Sequence, residues 1–517
     1  MKKIIILLVA ILTCFTAFFT GCGDSTGFNN KLTISASDAV SSNGGFAVVK
    51  GDYVYFINGV ETYTADNKYG DVVNGALVRV KKSDLANPAT ATAEVVIPSL
   101  FVASDYTSGF YMFENDANVY YASPVTAKNK EGVVENSKLD FIKTSLDGKT
   151  SVTLKTVDDN TTQYRYVQGA DNKVYLVLKT VNEDAETVIE IINATDNKPV
   201  KTTDKIESVI FTDGGAGTEI YYTVVPHNET LDQDEAYNEI HRVKVDGTSE
   251  LVLSGKGLYG TQDDENPEGF GISGVKFTLI KDTADTLYFS GAYVDTSIAS
   301  VTRYYALNKA NKAYEVINEG TSTASKVFAA NSYYASKDSI VYLDATYGLV
   351  KYDYNTVGST DVSISEGRVQ LFYDKDLVGY TVKFWQDGYL YLTDSSNYYY
   401  RVNVATLLDD DATNDKDVAV ETVNFLANST SWYAPEVIDG YFLSVYTSDP
   451  YNGLVFVSDI AKNAAIGAAE DAEDQIAAIR EVTKEQVELN LATSISLQSD
   501  AVKEKIANYM EETFKEE

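Results

Sequence analysis

The chain alternates short runs of aromatic and aliphatic residues with polar turns, and one two-strand pattern recurs about eight times. In each copy a turn led by Asp, Gly or Asn precedes a strand in which tyrosine alternates with aliphatic residues. A second strand follows, in which aliphatic and charged residues alternate. Clear copies are residues 51–56 with 77–80, and residues 387–392 with 400–404. Because a period of two is typical of β-strands, the pattern predicts a series of hairpins.

The copies are regularly spaced along the chain. Each contains one strand aromatic that can be aligned with the others, and these are Tyr55, Tyr120, Tyr175, Tyr221, Tyr288, Tyr342, Tyr391 and Phe442. Their mean spacing is about 55 residues, close to the period of about 40 to 50 residues found in propeller blades. Each period has room for four strands, which near Tyr391 are 381–385, 389–392, 400–404 and 418–423.

This pattern predicts an all-β fold, a closed β-propeller of about eight four-stranded blades over residues 32–458. Seven blades also fit, and a string of β-sandwich domains is the alternative architecture. The first full strand set begins at residues 46–49, which leaves residues 32–35 over. We expect residues 32–35 to form the outer strand of the last blade, because that pairing would remove an open sheet edge.

The N-terminus has the organisation of an export signal. Two lysines follow Met1, and residues 4–19 are uncharged and mostly apolar, too short a run for an ordinary transmembrane helix. The following Phe19-Thr20-Gly21-Cys22 resembles the bacterial lipoprotein lipobox, although Phe19 replaces the usual aliphatic residue. The resemblance implies a signal peptide over residues 1–21, lipidation of Cys22, and a polar tether over residues 22–31. The alternative is an uncleaved anchor.

The cysteines and the charge agree with an exported protein anchored to the outer face of the cell membrane. Cys14 lies within the apolar run, and no cysteine follows Cys22, so the folded part has no disulfide and its stability must come from its core. The chain has 42 basic and 75 acidic residues, a net charge of −33. Such a charge disfavours nucleic acid and anionic lipid surfaces as partners.

Residues 459–517 differ in composition from the rest. The strand aromatics end, and Ala, Glu and Lys dominate. Apolar residues recur at helical spacing, as at Ala472, Ile476 and Ile479. We predict a short α-helical C-terminal tail, which either packs on the propeller or docks a partner.

The sequence contains little material for catalysis. It has two histidines, His227 in a polar connection and His241 in a predicted strand. No segment resembles a nucleophile elbow. Carboxylate pairs, which glycoside hydrolysis requires, are expected by chance in so acidic a chain. The sequence therefore favours a protein that is not an enzyme, with an extracellular polysaccharide hydrolase or lyase as the alternative.

One acidic loop has the composition of a calcium site. Oxygen-bearing side chains occur at alternate positions, namely Asp409, Asp411, Thr413, Asp415 and Asp417. Ca²⁺ takes six to eight oxygen ligands, and alternate positions of a loop can supply them. The loop departs from the EF-hand pattern, since Asn414 stands where that motif has glycine. Calcium is the only cofactor for which we find a candidate site, and a solvated acidic loop is the alternative.

Other features bear on ligand binding. Acidic loops at residues 232–235 and 263–266 lengthen one repeat, and long loops often carry function in propellers. Tyrosine occurs 38 times, and Tyr398, Tyr399 and Tyr400 are consecutive. Most of these tyrosines lie in predicted strands, where they suit a half-buried pleated surface. Ring faces for sugars or peptides remain an alternative for the consecutive group.

The repeated Asp-Gly-Tyr-Leu-Tyr-Leu and Tyr-Arg-Val-Asn-Val segments behind a lipobox resemble clostridial-type surface lipoproteins whose β-propeller domain family has no established function. The resemblance covers residues 46–458 and implies blades but no binding residues. By analogy with other propellers, it implies a binding or scaffold protein for a protein or glycan ligand.

Overall fold

A computed structural model describes the backbone in nineteen segments: residues 35–58, 77–87, 93–97, 109–128, 134–146, 150–159, 161–211, 217–226, 237–256, 274–283, 285–294, 300–319, 333–335, 339–344, 348–353, 379–403, 420–425, 433–445 and 455–469. Within these segments the chain forms eight antiparallel sheets, and in each sheet the strands are neighbours in chain order. We number the sheets 1 to 8 along the chain. The all-β prediction with several four-stranded sheets is confirmed.

The first structural unit contains sheets 1, 2 and 8. Sheet 1 consists of β1 (Val40–Ser41), β2 (Ala47–Lys50), β3 (Tyr53–Ile57), β4 (Leu77–Lys81) and β5 (Glu94–Ile97). A 3₁₀ helix, Lys82–Ala86, follows β4. Sheet 2 consists of β6 (Tyr111–Met112), β7 (Asn118–Lys128), β8 (Val134–Ser145) and β9 (Ser151–Val157). Sheet 8 consists of β29 (Glu436–Ile438), β30 (Tyr441–Val445) and β31 (Val455–Asp459).

The second unit contains sheets 3 to 7 and one helix. Sheet 3 consists of β10 (Gln163–Gln168), β11 (Val174–Val181), β12 (Thr187–Asn193) and β13 (Lys198–Thr202). Sheet 4 consists of β14 (Ser208–Val209), β15 (Glu219–Val224), β16 (Glu239–Lys244) and β17 (Ser249–Ser254). Sheet 5 consists of β18 (Lys276–Asp282), β19 (Thr286–Val294), β20 (Ser300–Asn308) and β21 (Tyr314–Glu319).

Sheet 6 has three described strands, β22 (Tyr333–Ala335), β23 (Ser339–Asp344) and β24 (Gly348–Asp353). Sheet 7 consists of β25 (Thr381–Gln386), β26 (Tyr389–Thr393), β27 (Tyr399–Asn403) and β28 (Val420–Thr422). Helix α1 (Ile460–Gly467) begins directly after β31 and packs on β28, where the Asn463 side chain donates to the Val423 carbonyl over 2.9 Å. The tail predicted beyond residue 469 lies outside the described residues.

Two hairpins use the turn that their sequence favours. Asp387 and Gly388 have φ of +50° and +84°, and Asp439 and Gly440 have +49° and +84°. Positive φ at both central residues defines a type I′ turn, whose twist matches that of the two strands it joins. Asp tolerates this region and Gly adopts it without cost, so the Asp-Gly pairs fix where β25 turns into β26 and β29 into β30.

Every aligned aromatic lies in a described strand, and each of those strands is paired on both sides. Seven of the eight have described side chains, and these are 0 to 6% exposed: Tyr55, Tyr120, Tyr175, Tyr221, Tyr288, Tyr391 and Phe442. The strand that follows each of them in the sequence pattern is its neighbour in the sheet. The repeated sequence pattern therefore marks a central strand of each sheet, as predicted.

In sheets 1, 4 and 7 the aligned tyrosine begins a cross-strand row with an arginine and a glutamate. In sheet 1, Tyr55 stands opposite Arg79, and Arg79 stands opposite Glu94. The Arg79 guanidinium donates to the Glu94 carboxylate over 2.9 Å and to the Tyr55 hydroxyl over 3.3 Å, and it lies 4.1 Å from the Tyr53 ring centre. The same row recurs as Tyr221, Arg242 and Glu250, and as Tyr391, Arg401 and Glu421.

The start of sheet 1 differs from the prediction. The first strand set was expected to begin at Phe46, but β1 precedes it and pairs with β2 through Val40–Lys50 and Ser41–Val49. Sheet 1 therefore has five strands. A two-residue strand is too short to show alternation, so the sequence carries no signal for it. Of the predicted closing strand, Ser35 is described and lies in no strand, and residues 32–34 lie outside the described residues.

A buried ion pair joins the ends of β18 and β20 in sheet 5. Lys309 and Asp282 have side chains that are 7% and 3% exposed, and their charged atoms are 2.9 Å apart. The Lys309 ammonium also donates to the Thr283 carbonyl over 2.9 Å and lies 5.2 Å from the Tyr221 ring centre. Burial raises the pKa of Asp282 even though Lys309 favours its charged form. The pair therefore depends on both partners being present.

We predict that Lys309→Met lowers the free energy of unfolding by about 3–5 kcal/mol, because it leaves Asp282 buried without its partner. Denaturant unfolding followed by circular dichroism measures the change. Lys312→Met is the matched control, since Lys312 pairs with Glu250 at 39% and 34% exposure and should cost no more than about 1 kcal/mol. Adding Asp282→Leu to Lys309→Met should recover much of the loss. Equal effects of the two lysine substitutions would contradict the prediction.

Candidate functional site

A carboxyl group in the first unit stands out by its surroundings. Glu436 begins β29 and is half-buried, and its side chain lies against the backbone of Gly45, the residue before Phe46 and β2. A methyl group on Gly45 would overlap the Glu436 carboxyl group. The absence of a side chain at Gly45 is therefore what gives the carboxyl its place between sheets 1 and 8.

The backbone beneath Glu436 also joins sheet 1 to sheet 2. The Gly44 amide donates to the Phe110 carbonyl over 3.2 Å, and the Phe110 amide donates to the Gly45 carbonyl over 3.1 Å. A methyl group on Gly109 would overlap the Gly45 carbonyl oxygen. Glycine thus lets the two segments approach until their backbones touch, and segments that lead into β2, β6 and β29 meet around this point.

Two side chains complete the join between sheets 1 and 2. The Asn43 amide group donates to the Met112 carbonyl over 2.8 Å and accepts from the Met112 amide over 2.9 Å. Lys50 is 1% exposed and donates to the carbonyls of Ala36, Asp38 and Phe113 over 2.9 to 3.1 Å. Burial lowers the pKa of Lys50. The three carbonyls therefore occupy all three donors of the ammonium group.

Withdrawal from water raises the pKa of Glu436 to about 8. Among the residues that the structure describes, no charged group and no hydrogen-bond donor contributes to this change. A carboxyl with such a pKa is largely protonated at neutral pH, and a proton donor works best when its pKa lies near the working pH. Glu436 can therefore hold and release a proton near neutral pH.

Only a weak signal for this site is present in the sequence. Glu436 is a charged residue at the start of an apolar strand, directly before the Asp439-Gly440 turn. Its relation to Gly45 depends on packing between opposite ends of the chain, which no local pattern reports. Sequence reasoning therefore missed Glu436, Gly45 and Gly109 as a group.

Most of the site residues predicted from the sequence lie outside the described residues. Cys22, the calcium candidates Asp409, Asp411, Thr413, Asp415 and Asp417, and His227 all lie outside the described residues, as do the loops at 232–235 and 263–266. No group of three or more potential metal ligands occurs in the described part of the chain. The calcium site thus stays a prediction.

His241 lies in β16, as predicted, and contacts neighbouring side chains. Its Nε2 atom is 2.9 Å from the Glu239 carboxylate, and its ring lies 5.7 Å from that of Tyr222. Ser254 also donates to Glu239, over 3.2 Å. The carboxylate therefore stands between the serine and the histidine, whereas a catalytic triad needs the histidine in the middle.

Of the three consecutive tyrosines, Tyr399 and Tyr400 lie in β27 of sheet 7, and Tyr398 directly precedes that strand. Tyr399 is 5% exposed, and burial raises its pKa to about 12. The Tyr400 hydroxyl donates to Asp394 over 3.1 Å, and its ring meets that of Tyr380 edge to face at 5.3 Å. Tyr399 and Tyr400 therefore serve packing within the sheet and the turn before it.

Comparison with known proteins adds little. No family model matches the sequence, and no curated protein matches it. Among solved structures, the β-propeller domain of the Trilobed protease from Pyrococcus furiosus, which has an open velcro topology, is 12% identical with a TM-score of 0.33, over 82% of this chain and 95% of that one. Oligogalacturonate lyase in complex with manganese is 10% identical with a TM-score of 0.31, over 84% and 96%.

A puromycin-hydrolyzing peptidase from Mycobacterium tuberculosis is 12% identical with a TM-score of 0.31, over 80% of this chain and 58% of that one. Scores of this size do not support conclusions about fold or function, which rest instead on the sheets and contacts of this chain. Within the described residues, no helix has the length and apolar character needed to cross a membrane.

We predict that Gly45→Ala and Gly109→Ala both destabilise the first unit but respond differently to a second change. At Gly45 the new methyl group meets the end of a flexible side chain, whereas at Gly109 it meets backbone. We expect a loss of about 1–3 kcal/mol for Gly45→Ala and more for Gly109→Ala. Thermal unfolding measures both.

Glu436→Ala should remove the cost of Gly45→Ala and leave that of Gly109→Ala unchanged. The comparison is made against Glu436→Ala alone, so that the loss of the glutamate itself cancels. Failure of Glu436→Ala to rescue Gly45→Ala would show that the carboxyl does not fill this space.

Proposed function

We propose that this chain is an exported, lipid-anchored surface protein whose sheets close into a β-propeller that binds a protein or glycan ligand. The ring would be a rigid scaffold, and the loops that differ between repeats would carry the ligand. The resemblance to clostridial-type surface lipoproteins supports the same proposal. The step from propeller to binding protein is an analogy with other propellers.

The observation that carries the proposal is the packing of the last sheet against the first. The rings of Phe46 and Tyr433 stack with centres 5.4 Å apart, and Lys82 and Asp439 form an ion pair of 3.5 Å. Residues of sheets 1 and 8 belong to one buried cluster, which includes Val48, Leu443 and Val457. In a propeller the last blade must meet the first, so this packing supports closure.

The proposed closing strand has a place in this arrangement. In the described part of sheet 8, β31 has a neighbour only on the β30 side. Residues 32–35 precede β1 by a few positions, and their pairing with β31 would complete four strands in the last blade. We retain this pairing as part of the proposal, together with eight as the blade number.

For the anchor, we predict that metabolic labelling with a fatty acid marks the wild-type protein and Cys14→Ala, but not Cys22→Ala. The thiol of Cys22 would carry the lipid, whereas Cys14 lies in the part of the signal that is removed. Label on Cys22→Ala, or loss of label from Cys14→Ala, would contradict the assignment. Digestion of the protein by a protease added to intact cells would then show that it lies on the outer face of the membrane.

For ligand binding, we predict that neutralising the acidic loop through Asp232→Asn, Asp234→Asn and Glu235→Gln weakens binding at least tenfold, about 1.4 kcal/mol. The probes are a glycan array and the native cell envelope treated with a cross-linker. The control carries Glu183→Gln and Asp184→Asn, two exposed acidic residues in the turn between β11 and β12. Equal weakening in the control would show that general charge, and not this loop, governs binding.

The alternative, a polysaccharide hydrolase or lyase, is favoured by one observation. Glu436 is a carboxylic acid with a pKa of about 8, which suits a general acid. Hydrolysis also requires a second carboxylate, and none of the described residues perturbs Glu436 in the way that such a neighbour would. Release of reducing ends or unsaturated ends from cell-surface polysaccharide by the wild type, and its loss in Glu436→Gln, would establish this function.

A further inference from the structure

The junction between sheets 1 and 8, here called the first–last junction, is built on a buried apolar cluster to which both sheets contribute. It includes the stacked rings of Phe46 and Tyr433, the Glu436 carboxyl against Gly45, and the exposed pair of Lys82 and Asp439. Lys82 and Asp439 are 33% and 59% exposed, so that pair contributes little. Apolar packing does not depend on pH, so among these contacts the Glu436 carboxyl is the one whose state can change the stability of the junction with pH.

A negative charge on Glu436 would find no compensation among the described residues of the junction. Gly45 offers no side chain, and its carbonyl already accepts from the Phe110 amide. Lys50, the charged residue of β2, is held by three backbone carbonyls. Lys82, which follows β4, is paired with Asp439. A neutral carboxyl fits these surroundings, whereas a carboxylate without donors or a cation is costly when withdrawn from water.

We infer that the first–last junction is a proton-controlled clasp, which is closed while Glu436 is protonated and loosens when Glu436 loses its proton. Ionisation would draw the carboxylate toward water, and β29 would move away from the backbone of Gly45. Residues of the first unit alone form this clasp, so it holds whether or not the chain is lipidated, binds a ligand or acts as an enzyme.

The direction of the pH dependence follows from the proton count. The pKa of Glu436 is raised from its usual value of 4.5 to about 8 in the folded protein. Between these values the folded state keeps a proton that the unfolded state has lost, so stability falls as pH rises. The loss begins near pH 4.5 and is complete somewhat above pH 8. Below pH 4.5 both states are protonated, and Glu436 has no effect.

Hydrogen exchange read by mass spectrometry tests the clasp. Exchange is measured from pH 5.5 to 9 and corrected for the intrinsic pH dependence of amide exchange. In the wild type we expect protection of the peptides that contain β2 and β29 to fall at least tenfold over this range. In Glu436→Gln, which cannot ionise, protection should stay constant and should exceed that of the wild type at pH 8 and above.

Asp52→Asn is the matched control. It removes an exposed carboxylate from the turn between β2 and β3 of the same unit and leaves the pair of Lys82 and Asp439 in place. Its profile should follow the wild type. Peptides from β18 in the second unit should show no Glu436-dependent change. If Glu436→Gln does not fold, Glu436→Ala replaces it with the same expectation.

Two outcomes would overturn the inference. One is a wild-type profile without a pH-dependent loss of protection at β2 and β29. The other is a loss that persists in Glu436→Gln or Glu436→Ala, which would assign it to another group. Loss in the wild type and in Asp52→Asn, with constant protection in the Glu436 variants, supports the clasp.

Discussion

A buried tyrosine hydroxyl needs a hydrogen-bond partner, and in several of these sheets this need ties the central strand to a neighbouring strand or to the preceding turn. The aligned ring lies in the middle of its sheet, where it supplies much of the packing but also buries a polar group. In sheets 1 and 7 the hydroxyl is bound by Arg79 and Arg401 of the next strand. In sheets 2 and 3, Tyr120 and Tyr175 donate to Asp116 and Asp171, in the turns that precede their strands. The same residue thus fixes either the neighbouring strand or the turn, which explains why turn and tyrosine recur together in the sequence.

That coupling is why the strands could be predicted from the sequence and the candidate site could not. The aligned tyrosines and the strands after them have partners within one repeat, so a local pattern reports them. Closure of the sheets into a ring is not a local property. Glu436 and Gly45 lie near opposite ends of the described chain, and the tight approach depends on glycine, which marks many turns as well. The two-residue strand β1 was missed for a simpler reason, since it is too short to have a period.

Buried ionisable groups of the first unit are compensated in two different ways. Arg79 and Lys50 are nearly inaccessible to water, and each is compensated in place, by Glu94 and Tyr55 in one case and by three carbonyls in the other. Glu436 has no such partner among the described residues, and its proton takes the place of one. Where protein groups compensate a buried charge, the free energy of unfolding changes little with pH near neutrality. Where a bound proton does so, the free energy of unfolding depends on the pH of the solution. The difference places the pH sensitivity of the unit at the contact between its first and last sheets.

Because glycine stands at positions 45 and 109, the Glu436 carboxyl is neutralised by a proton and not by a neighbouring basic side chain. At Gly45 the Cβ of any side chain would overlap the carboxyl group where it now lies, so a basic residue there would displace the group it was to neutralise. Gly109 cannot carry one either, because its Cβ would overlap the Gly45 carbonyl. The close approach that joins sheets 1 and 2 therefore excludes the side chains that would make a carboxylate stable beside them. Packing and electrostatics oppose each other at this point, and a neutral Glu436 is the state that satisfies both.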